Sequence, residues 1–201
     1  FIILAGINFY LYRQAAAGGT MQPKFTDPES PFGALEFMHW NHPWNSFKYP
    51  SRESLEKAVG LMKEAGISIV RFDFLWEDIE PKPGNFNFEK YDLIVDVLSE
   101  NNIKILGIFD YCASWAAESG QWNCVPKDNV LFVNYAVRVI GRYKDKVKYW
   151  EVWNEPDSPT YWSKQDGLKS YCALLKDVYL AAKLVDPDCK ILNGGLALGL
   201  S

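Results

Sequence analysis

The spacing of short apolar segments is the feature that most restricts how this chain can fold. Five runs rich in branched and aromatic residues begin 35, 36, 44 and 43 residues apart. Polar loops and amphipathic stretches of helical period separate the runs, which is the repeat of parallel strands joined through helices. The predicted strands are residues 32–37, 67–74, 103–109, 147–152 and 190–192.

Four amphipathic helices are predicted between these strands, each with one apolar stripe that packs on the sheet. Ser51 is placed to cap the first helix and Gly66 to end it, and Asn101 and Asn102 end the second. The stripes are Leu55, Val59 and Met62; Tyr91, Ile94, Val95 and Leu98; Phe132, Ala136, Val139 and Ile140; and Leu174, Leu175, Val178 and Leu184.

The length of these repeats limits the fold class to two α/β architectures with a parallel sheet. Residues 32–201 hold about four and a half strand-helix units of roughly 40 residues, whereas a closed eight-stranded barrel needs about 250 residues. We expect a truncated barrel, because a complete open sheet would need another helix over its last strand. A nucleotide-binding open sheet also lacks a G-x-G-x-x-G or P-loop after the first strand, so we expect no cofactor.

Composition and charge limit the classes of partner and ligand that the chain is expected to bind. The formal net charge is −4 and no block of Lys or Arg is present, so nucleic acid is not an expected partner. The chain contains 8 Trp, 11 Tyr and 12 Phe, and several Trp lie beside acidic or amide residues. Such a composition suits a site that stacks on flat ligand faces.

The N-terminus has the pattern of an export signal. Residues 1–12 are mostly apolar and precede Arg13 and small residues at 15–18. We expect residues 1–19 to be a signal-peptide or leader remnant and 20–31 a linker, which predicts a secreted or periplasmic protein. Twelve apolar residues are too few for a stable membrane span, although a buried strand or a shortened anchor are alternative interpretations.

Four cysteines leave the redox compartment open. They are Cys112, Cys124, Cys172 and Cys189, and no pair has a zinc-binding spacing. A Cys112–Cys124 bridge would tie one loop, and free, partly buried thiols are the alternative.

Polar and aromatic residues follow the predicted strands at their carboxyl ends, where parallel α/β folds bind ligands. These residues are His39 and Trp40; Arg71, Asp73 and Trp76; Asp110 and Tyr111; Trp153, Asn154 and Glu155; and Asn193, Gly194 and Gly195.

The fourth strand segment, KVKYWEVWNEPD, is the most informative motif. Pro156 restricts the backbone of Glu155 at the end of the strand. A carboxyl among indoles loses hydration, so we expect the pKa of Glu155 to rise toward a value useful for proton donation. Asn154 carries both a donor and an acceptor for a ligand hydroxyl. The alternative is a structural glutamate that caps the turn or pairs with a lysine.

This motif resembles the acid/base motif of retaining glycoside hydrolases with (β/α)8 TIM barrels, whose two catalytic glutamates end strands four and seven. The segments VRFDFLWEDIEPKPGNFNF and ILGIFDYCASWA resemble strands two and three of that clan. RYKDKVKYWEVWNEPD, followed by Tyr161 and Trp162, is most similar to family 39-like bacterial members. The resemblance covers residues 32–201, which we interpret as the N-terminal half of such a barrel.

The resemblance implies a function and roles for three residues. Glu155 would be the general acid/base, Asn154 would bind the hydroxyl next to the reacting carbon, and Arg71 would support the nucleophile. A retaining enzyme needs two carboxyls about 5–5.5 Å apart, and Glu151 lies roughly 13 Å back along the strand from Glu155. We therefore expect the nucleophile to be missing from this chain, which alone would be inactive on β-linked oligo- or polysaccharides.

Other residues are weaker candidates for binding substrate. His39 is expected to bind a hydroxyl, since His39 and His42 have no third partner at a metal-binding spacing and no metal site is expected. Asp110 and Tyr111 are candidates for hydroxyl binding, with turn capping the alternative for Asp110. Three indoles are expected either to stack on sugar rings or to seal the rim of the barrel. They are Trp76, Trp115 and Trp162.

A noncatalytic carbohydrate-binding barrel protein is the alternative function. Such a protein would keep the aromatic cleft and lack the second carboxylate. The residue that ends strand seven distinguishes the two functions, because only the enzyme requires a glutamate there.

Overall fold

A computed structural model describes residues 30–39, 49, 51–164, 166 and 168–197. The strands are β1 Phe32–Leu35, β2 Ile67–Leu75, β3 Lys104–Asp110, β4 Tyr149–Val152 and β5 Lys190–Asn193. The helices are α1 Arg52–Glu64, α2 Trp76–Ile79, α3 Glu89–Glu100, α4 Asn129–Tyr143 and α5 Lys169–Val185. The predicted leader lies outside the described residues.

The five strands form one parallel sheet in the order β1-β2-β3-β4-β5. Sequential order with a helix between successive strands is the arrangement that the apolar spacing predicted, so the parallel α/β fold is confirmed. The one-turn helix α2 was not predicted, because four residues are too few to show a helical period.

Local signals account for the helix boundaries. The Ser51 hydroxyl accepts a hydrogen bond from the Ser54 backbone N–H and Ser54 reciprocates, so α1 starts with a capping box. Gly66 has φ +75°, a conformation that costs glycine little and ends the helix. Asp128 caps α4 by accepting from the Val130 N–H. Helix α4 continues through Gly141 to Tyr143, so this glycine lies inside the helix.

The core lies between the helices and one face of the sheet. Phe74, Phe109 and Trp150 are fully buried there, and Phe109 stacks on Trp150 with ring centroids 4.7 Å apart. Tyr91 of α3 and Tyr143 of α4 pack on Phe74. Each fully buried large side chain contributes about 1.5–3 kcal/mol through the hydrophobic effect, so this aromatic layer is a major part of the stability.

One glycine makes this aromatic layer sterically feasible. A Cβ atom on Gly107 would lie 2.5 Å from Cζ3 of Trp150 and 2.8 Å from Cε2 of Phe74. The indole therefore occupies the space that a side chain at this position of β3 would need.

The opposite face of the sheet carries the charged residues. Paired residues of parallel strands share a face, and two neighbouring rows can be followed across the sheet. They are Leu35, Arg71, Leu106 and Tyr149, and Asp73, Ile108, Glu151 and Leu192. Leu35, Tyr149 and Leu192 are exposed, whereas Asp73 and Glu151 are buried.

Three further features of the structure bear on the sequence predictions. Leu184 is 87% exposed, so it does not belong to the apolar stripe of α5 as predicted, because the helix turns it away from the sheet. All four cysteines are free, with Cys172 exposed and the other three buried, so the proposed Cys112–Cys124 bridge is absent. Among the described residues, no helix is both long enough and apolar enough to cross a bilayer.

Candidate active site

The chain turns sharply where β4 ends. The strand stops at Val152, and Trp153 and Glu155 then have φ values of +68° and +45°. Non-glycine residues in this region carry strain of about 1–3 kcal/mol that the surrounding structure must offset. The Trp153 N–H donates to the Phe109 carbonyl at 2.9 Å, and the Glu155 N–H donates to the Gly195 carbonyl at 2.9 Å. The end of β3 and the loop after β5 thus hold this turn from both sides.

The turn changes which side chains meet. Strict alternation would place Asn154 and Glu151 on opposite faces, but the alternation ends with the strand. Nη2 of Arg71 donates to Oδ1 of Asn154 at 3.1 Å and to Oε1 of Glu151 at 2.9 Å. Nε of Arg71 donates to Oε2 of Glu151 at 2.7 Å, which completes a two-point ion pair.

The orientation of the Asn154 amide follows from its neighbours. Arg71 has only donors, so the amide oxygen faces it and the amide nitrogen faces away. Nδ2 of Asn154 lies 3.3 Å from the Tyr111 hydroxyl. One amide N–H of Asn154 remains for a ligand. Burial works against the charge of Arg71, but the hydrogen bonds and charge of Glu151 raise the Arg71 pKa, so the guanidinium stays charged.

Glu151 is hydrogen-bonded to Arg71 and Gly195, the two residues that hold Asn154 and Glu155. Its Oε1 accepts from the Gly195 N–H at 2.6 Å, and the Gly195 carbonyl accepts from the Glu155 N–H. Through Arg71 the same carboxylate reaches Asn154. Sequence analysis excluded Glu151 as the nucleophile and assigned it no role. The signal that could have identified it is Arg71, a cation within an apolar strand that needs a buried anionic partner.

The carboxylate of Glu155 is half-buried and lies next to this network. Within the described residues, no side chain or backbone group donates a hydrogen bond to it or forms an ion pair with it. The alternative interpretation of Glu155 as one member of a charge pair therefore finds no partner there. An unpaired carboxyl beside an oriented amide is available to exchange a proton with a ligand.

Asp110 lies deeper, on the same face of the sheet as Arg71. It is 1% exposed, and neither carboxylate oxygen has a hydrogen-bond partner among the described residues. Burial raises the pKa of Asp110 well above its ordinary value, and the negative charge of Asp73 raises it further. Both effects favour the protonated, neutral form of the side chain. Binding of a substrate hydroxyl by Asp110 stays a prediction.

His39 is buried beside β2. Its Nε2 lies 3.4 Å from Oδ2 of Asp73, and its ring stacks near Phe72 and Tyr91. Burial lowers the pKa of His39, against the opposing effect of Asp73. The structure thus shows a buried His39–Asp73 contact, and hydroxyl binding by His39 stays a prediction.

Trp76 and Trp162 belong to the core, which corrects their predicted stacking on sugar. Trp76 is fully buried, its ring stacks on Tyr135, and its Nε1 donates to Glu80 at 2.7 Å. Trp162 is 1% exposed and packs edge-on against Trp153. Neither ring offers a free face, because both fill space beneath the loops. The sealing role, the alternative in each case, fits this placement.

Trp115 and Tyr111 are half-buried and stay candidates for binding. The Nε1 of Trp115 donates to the Glu80 carbonyl at 2.8 Å. Tyr111 contacts Trp122 and Tyr161, with ring centroids 4.8 and 6.0 Å away. Trp122 was not predicted, since it lies in a polar loop outside every strand end.

Among the described residues, no group of three or more acidic, histidine or cysteine side chains is arranged to hold a metal ion. His42 and Trp40 lie outside the described residues. Of the two histidines in the H-x-x-H motif, the described residues include His39, which contacts Asp73.

Comparison with known proteins connects this geometry to a class of enzymes. A family model described as beta-galactosidase, glycoside hydrolase family 42, matches residues 44–108. A beta-1,4-xylanase of Dictyoglomus thermophilum is 31% identical over 123 residues, which are 58% of this chain and 34% of the xylanase. A 6-phospho-beta-glucosidase of Clostridium longisporum is 30% identical over 166 residues, 71% of this chain and 35% of that enzyme.

A solved structure shows the same arrangement. A family 39 glycoside hydrolase from the gut symbiont Bacteroides cellulosilyticus superposes with a TM-score of 0.68 at 28% identity, covering 86% of this chain and 33% of that one. The chain spans about a third of the length of these relatives. Its homologues are glycoside hydrolases, and its five-stranded parallel sheet is part of the α/β fold of their TIM barrels.

Proposed function

We propose that this chain carries the acid/base side of an active site that hydrolyses β-glycosidic bonds with retention of configuration. The observation that carries the proposal is the unpaired carboxylate of Glu155 beside Asn154, whose amide Arg71 and Tyr111 orient. The relatives named as beta-1,4-xylanase and 6-phospho-beta-glucosidase support a β-linked substrate. The family 39 glycoside hydrolase supports assignment to that family or a neighbouring one.

Glu155 would act twice in the reaction. In the first step its proton moves to the glycosidic oxygen as the bond to the anomeric carbon breaks and a second carboxylate attacks that carbon. In the second step Glu155 takes a proton from water, and the resulting hydroxide displaces the carboxylate. The free N–H of Asn154 would donate to the hydroxyl next to the reacting carbon.

The second carboxylate would come from outside these 201 residues. Glu151 is engaged with Arg71 and the Gly195 N–H. Glu151 lies in β4, before the turn that carries Glu155, and Arg71 neutralises its charge. By this proposal the 201-residue chain binds saccharide without turning it over.

Residues 1–19 support a secreted or periplasmic location as part of the proposal. A mostly apolar segment followed by small residues is typical of an export signal. Polysaccharide substrates outside the cytoplasm would suit such a location.

The test uses a polypeptide that extends past residue 201 to include the proposed nucleophile. Glu155→Ala should lower kcat by about 10²–10⁴-fold on a β-1,4-linked disaccharide, because its leaving group needs protonation. On 4-nitrophenyl β-glycosides, whose leaving group is stable as an anion, kcat/KM should fall much less than on the disaccharide. Their kcat should still fall, because no base activates the water of the second step. Azide needs no deprotonation, so it should restore turnover of the aryl substrate and give a β-configured glycosyl azide, identified by NMR.

Glu118→Gln serves as the matched control, since Glu118 is exposed and its variant should hydrolyse both substrates normally. Equal losses on the two substrates, without azide rescue, would contradict the acid/base role of Glu155. An α-configured azide would contradict retention. A wild-type protein that binds saccharide and never hydrolyses it would indicate the noncatalytic binding function.

A further inference from the structure

We infer that Trp122, with Tyr111 and Tyr161, forms a binding subsite for a further sugar ring of a saccharide whose reacting ring is held at Asn154. This inference rests on the proposed function and adds the place where the substrate chain continues. The three residues are called the aromatic corner below. Its ligand would be a pyranose further along the same β-linked saccharide.

The geometry of the aromatic corner leaves one large ring open. Tyr111 and Tyr161 stack on each other with an interplanar angle of 16°. Trp122 stands at 74° to Tyr111 and 68° to Tyr161, and 49% of its surface is exposed. The tyrosines support the indole from one side, so its exposed surface faces away from them.

The aromatic corner is continuous with the proposed active site. The Tyr111 hydroxyl lies 3.3 Å from Nδ2 of Asn154, so one side chain contacts both the amide and the indole. Tyr111 therefore lies between the Asn154 amide and the indole, and a saccharide chain that extends from Asn154 past Tyr111 reaches Trp122.

Backbone hydrogen bonds hold the loop that carries Trp122. The Trp122 carbonyl accepts from the Cys112 N–H at 2.9 Å. The Asn123 side chain donates to the Thr160 carbonyl at 3.0 Å, and the Asn123 carbonyl accepts from the Ser163 N–H at 3.1 Å. The loop that carries the indole is thus held in place before a ligand arrives, which reduces the entropy lost on binding.

The surroundings of Trp122 have the chemistry that a sugar requires. The indole borders an open depression of about 500 Å³, within the usual range for small-ligand sites. Its lining includes the Gln121 amide and the Glu77 carboxylate, which accepts hydrogen bonds from the backbone N–H and the hydroxyl of Ser114 and keeps further lone pairs as acceptors. An apolar face flanked by donors and acceptors matches a pyranose, whose C–H groups lie on one face and whose hydroxyls lie around the edge.

The test compares binding of one-ring and three-ring ligands by calorimetry with the full chain. Trp122→Ala should weaken binding of β-1,4-xylotriose about tenfold, equivalent to 1.4 kcal/mol. Methyl β-xyloside, which fills only the Asn154 position, should bind within twofold of wild type. Trp122→Phe keeps an aromatic face and should lose threefold or less. Tyr179→Ala removes an exposed ring on α5 and should change neither affinity.

Three results would overturn the subsite. Unchanged xylotriose affinity in Trp122→Ala would show that the indole does not contact the chain. Equal weakening of both ligands by Trp122→Ala and Trp122→Phe would indicate a general disturbance of the loop. Selective loss for 4-nitrophenyl β-xyloside would indicate an aryl group in place of a sugar. Wild-type protein that binds none of these ligands would instead refute the proposed function itself.

Discussion

At the scale of single residues, the role of Glu151 is the main feature of the site that the structure shows and the sequence did not predict. Arg71, a cation within an apolar strand, indicates a buried anionic partner, but the sequence could not identify that partner, because alternation along β4 separates Glu151 from Asn154. Only the left-handed turn at Trp153 brings both to the same guanidinium. The position of Glu155 at a strand end, in contrast, followed from the motif and Pro156.

Glu151→Gln should both destabilise the protein and slow catalysis. The variant removes the charge that compensates Arg71, and breaking a partly buried ion pair costs up to about 3–5 kcal/mol. It also loosens Arg71 and Gly195, which orient Asn154 and Glu155, so we expect kcat to fall more than KM changes. Urea unfolding and steady-state kinetics on the polypeptide that includes the nucleophile measure the two effects.

Asp96→Asn is the matched control for Glu151→Gln. Asp96 pairs with Lys146 at the surface, where both side chains are more than a third exposed. Such a pair contributes about 0–1 kcal/mol, and its loss should leave kcat unchanged. If Glu151→Gln is also neutral in both measurements, Glu151 does not position the site.

At the scale of elements, strands and helices were predicted to within a few residues, whereas the contacts between loops were not. Apolar period and capping residues are local signals, and Ser51, Gly66 and Asn101 placed helix ends correctly. The burial of Trp76 and Trp162 depends on α2 and on the loops above the sheet, for which no periodic signal exists. For the same reason, Trp122 could not be distinguished from any other loop residue.

The contact between the β4 and β5 ends predicts the effect of Gly194→Ala. A Cβ at Gly194 would lie 2.5 Å from the Trp153 carbonyl oxygen and 3.0 Å from Cδ of Pro156. The turn that carries Glu155 would have to move, so we expect a loss of about 1–3 kcal/mol in the free energy of unfolding. Hydrolysis should fall as well, since the Glu155 N–H bonds to the neighbouring Gly195 carbonyl.

Gly60→Ala provides the comparison, because no heavy atom lies within 4 Å of the added Cβ on the exposed side of α1. This variant should be more stable than wild type by about 0.4–1 kcal/mol and equally active. Chemical denaturation of both variants measures the difference. A Gly194→Ala protein with wild-type stability would mean that the two loops are not in close contact.

At the scale of the whole molecule, the charged face of the sheet predicts how stability depends on pH. Asp110 faces Asp73, Arg71 and Glu151, and burial above all holds its folded pKa well above its value in the unfolded chain. Above about pH 3.9 the unfolded chain releases this proton while the folded protein retains it. By linkage, Asp110 lowers stability progressively as pH rises from there toward the folded pKa.

Asp110→Asn should remove this pH-dependent loss, because asparagine stays neutral at every pH and has nearly the same shape. We expect equal Tm values for the variant and wild type near pH 3.5 and a higher Tm for the variant at pH 7. A difference of about 2–4 °C, which corresponds to 1 kcal/mol in a chain of this size, is the smallest that supports the argument. Calorimetric scans across this range measure it, with Asp145→Asn as the exposed control.

Other carboxylates change the pH profile in the opposite direction without affecting this comparison. Burial opposes the ionisation of Asp92, but hydrogen bonds from Arg142 and Tyr143 lower its pKa, so its contribution is lost as the solution becomes acidic. Wild type and variant share that loss, and it cancels in the difference between them. A variant with a constant Tm difference at all pH values would show that Asp110 is ionised in the folded protein, and the charged face would then need a cation that compensates it.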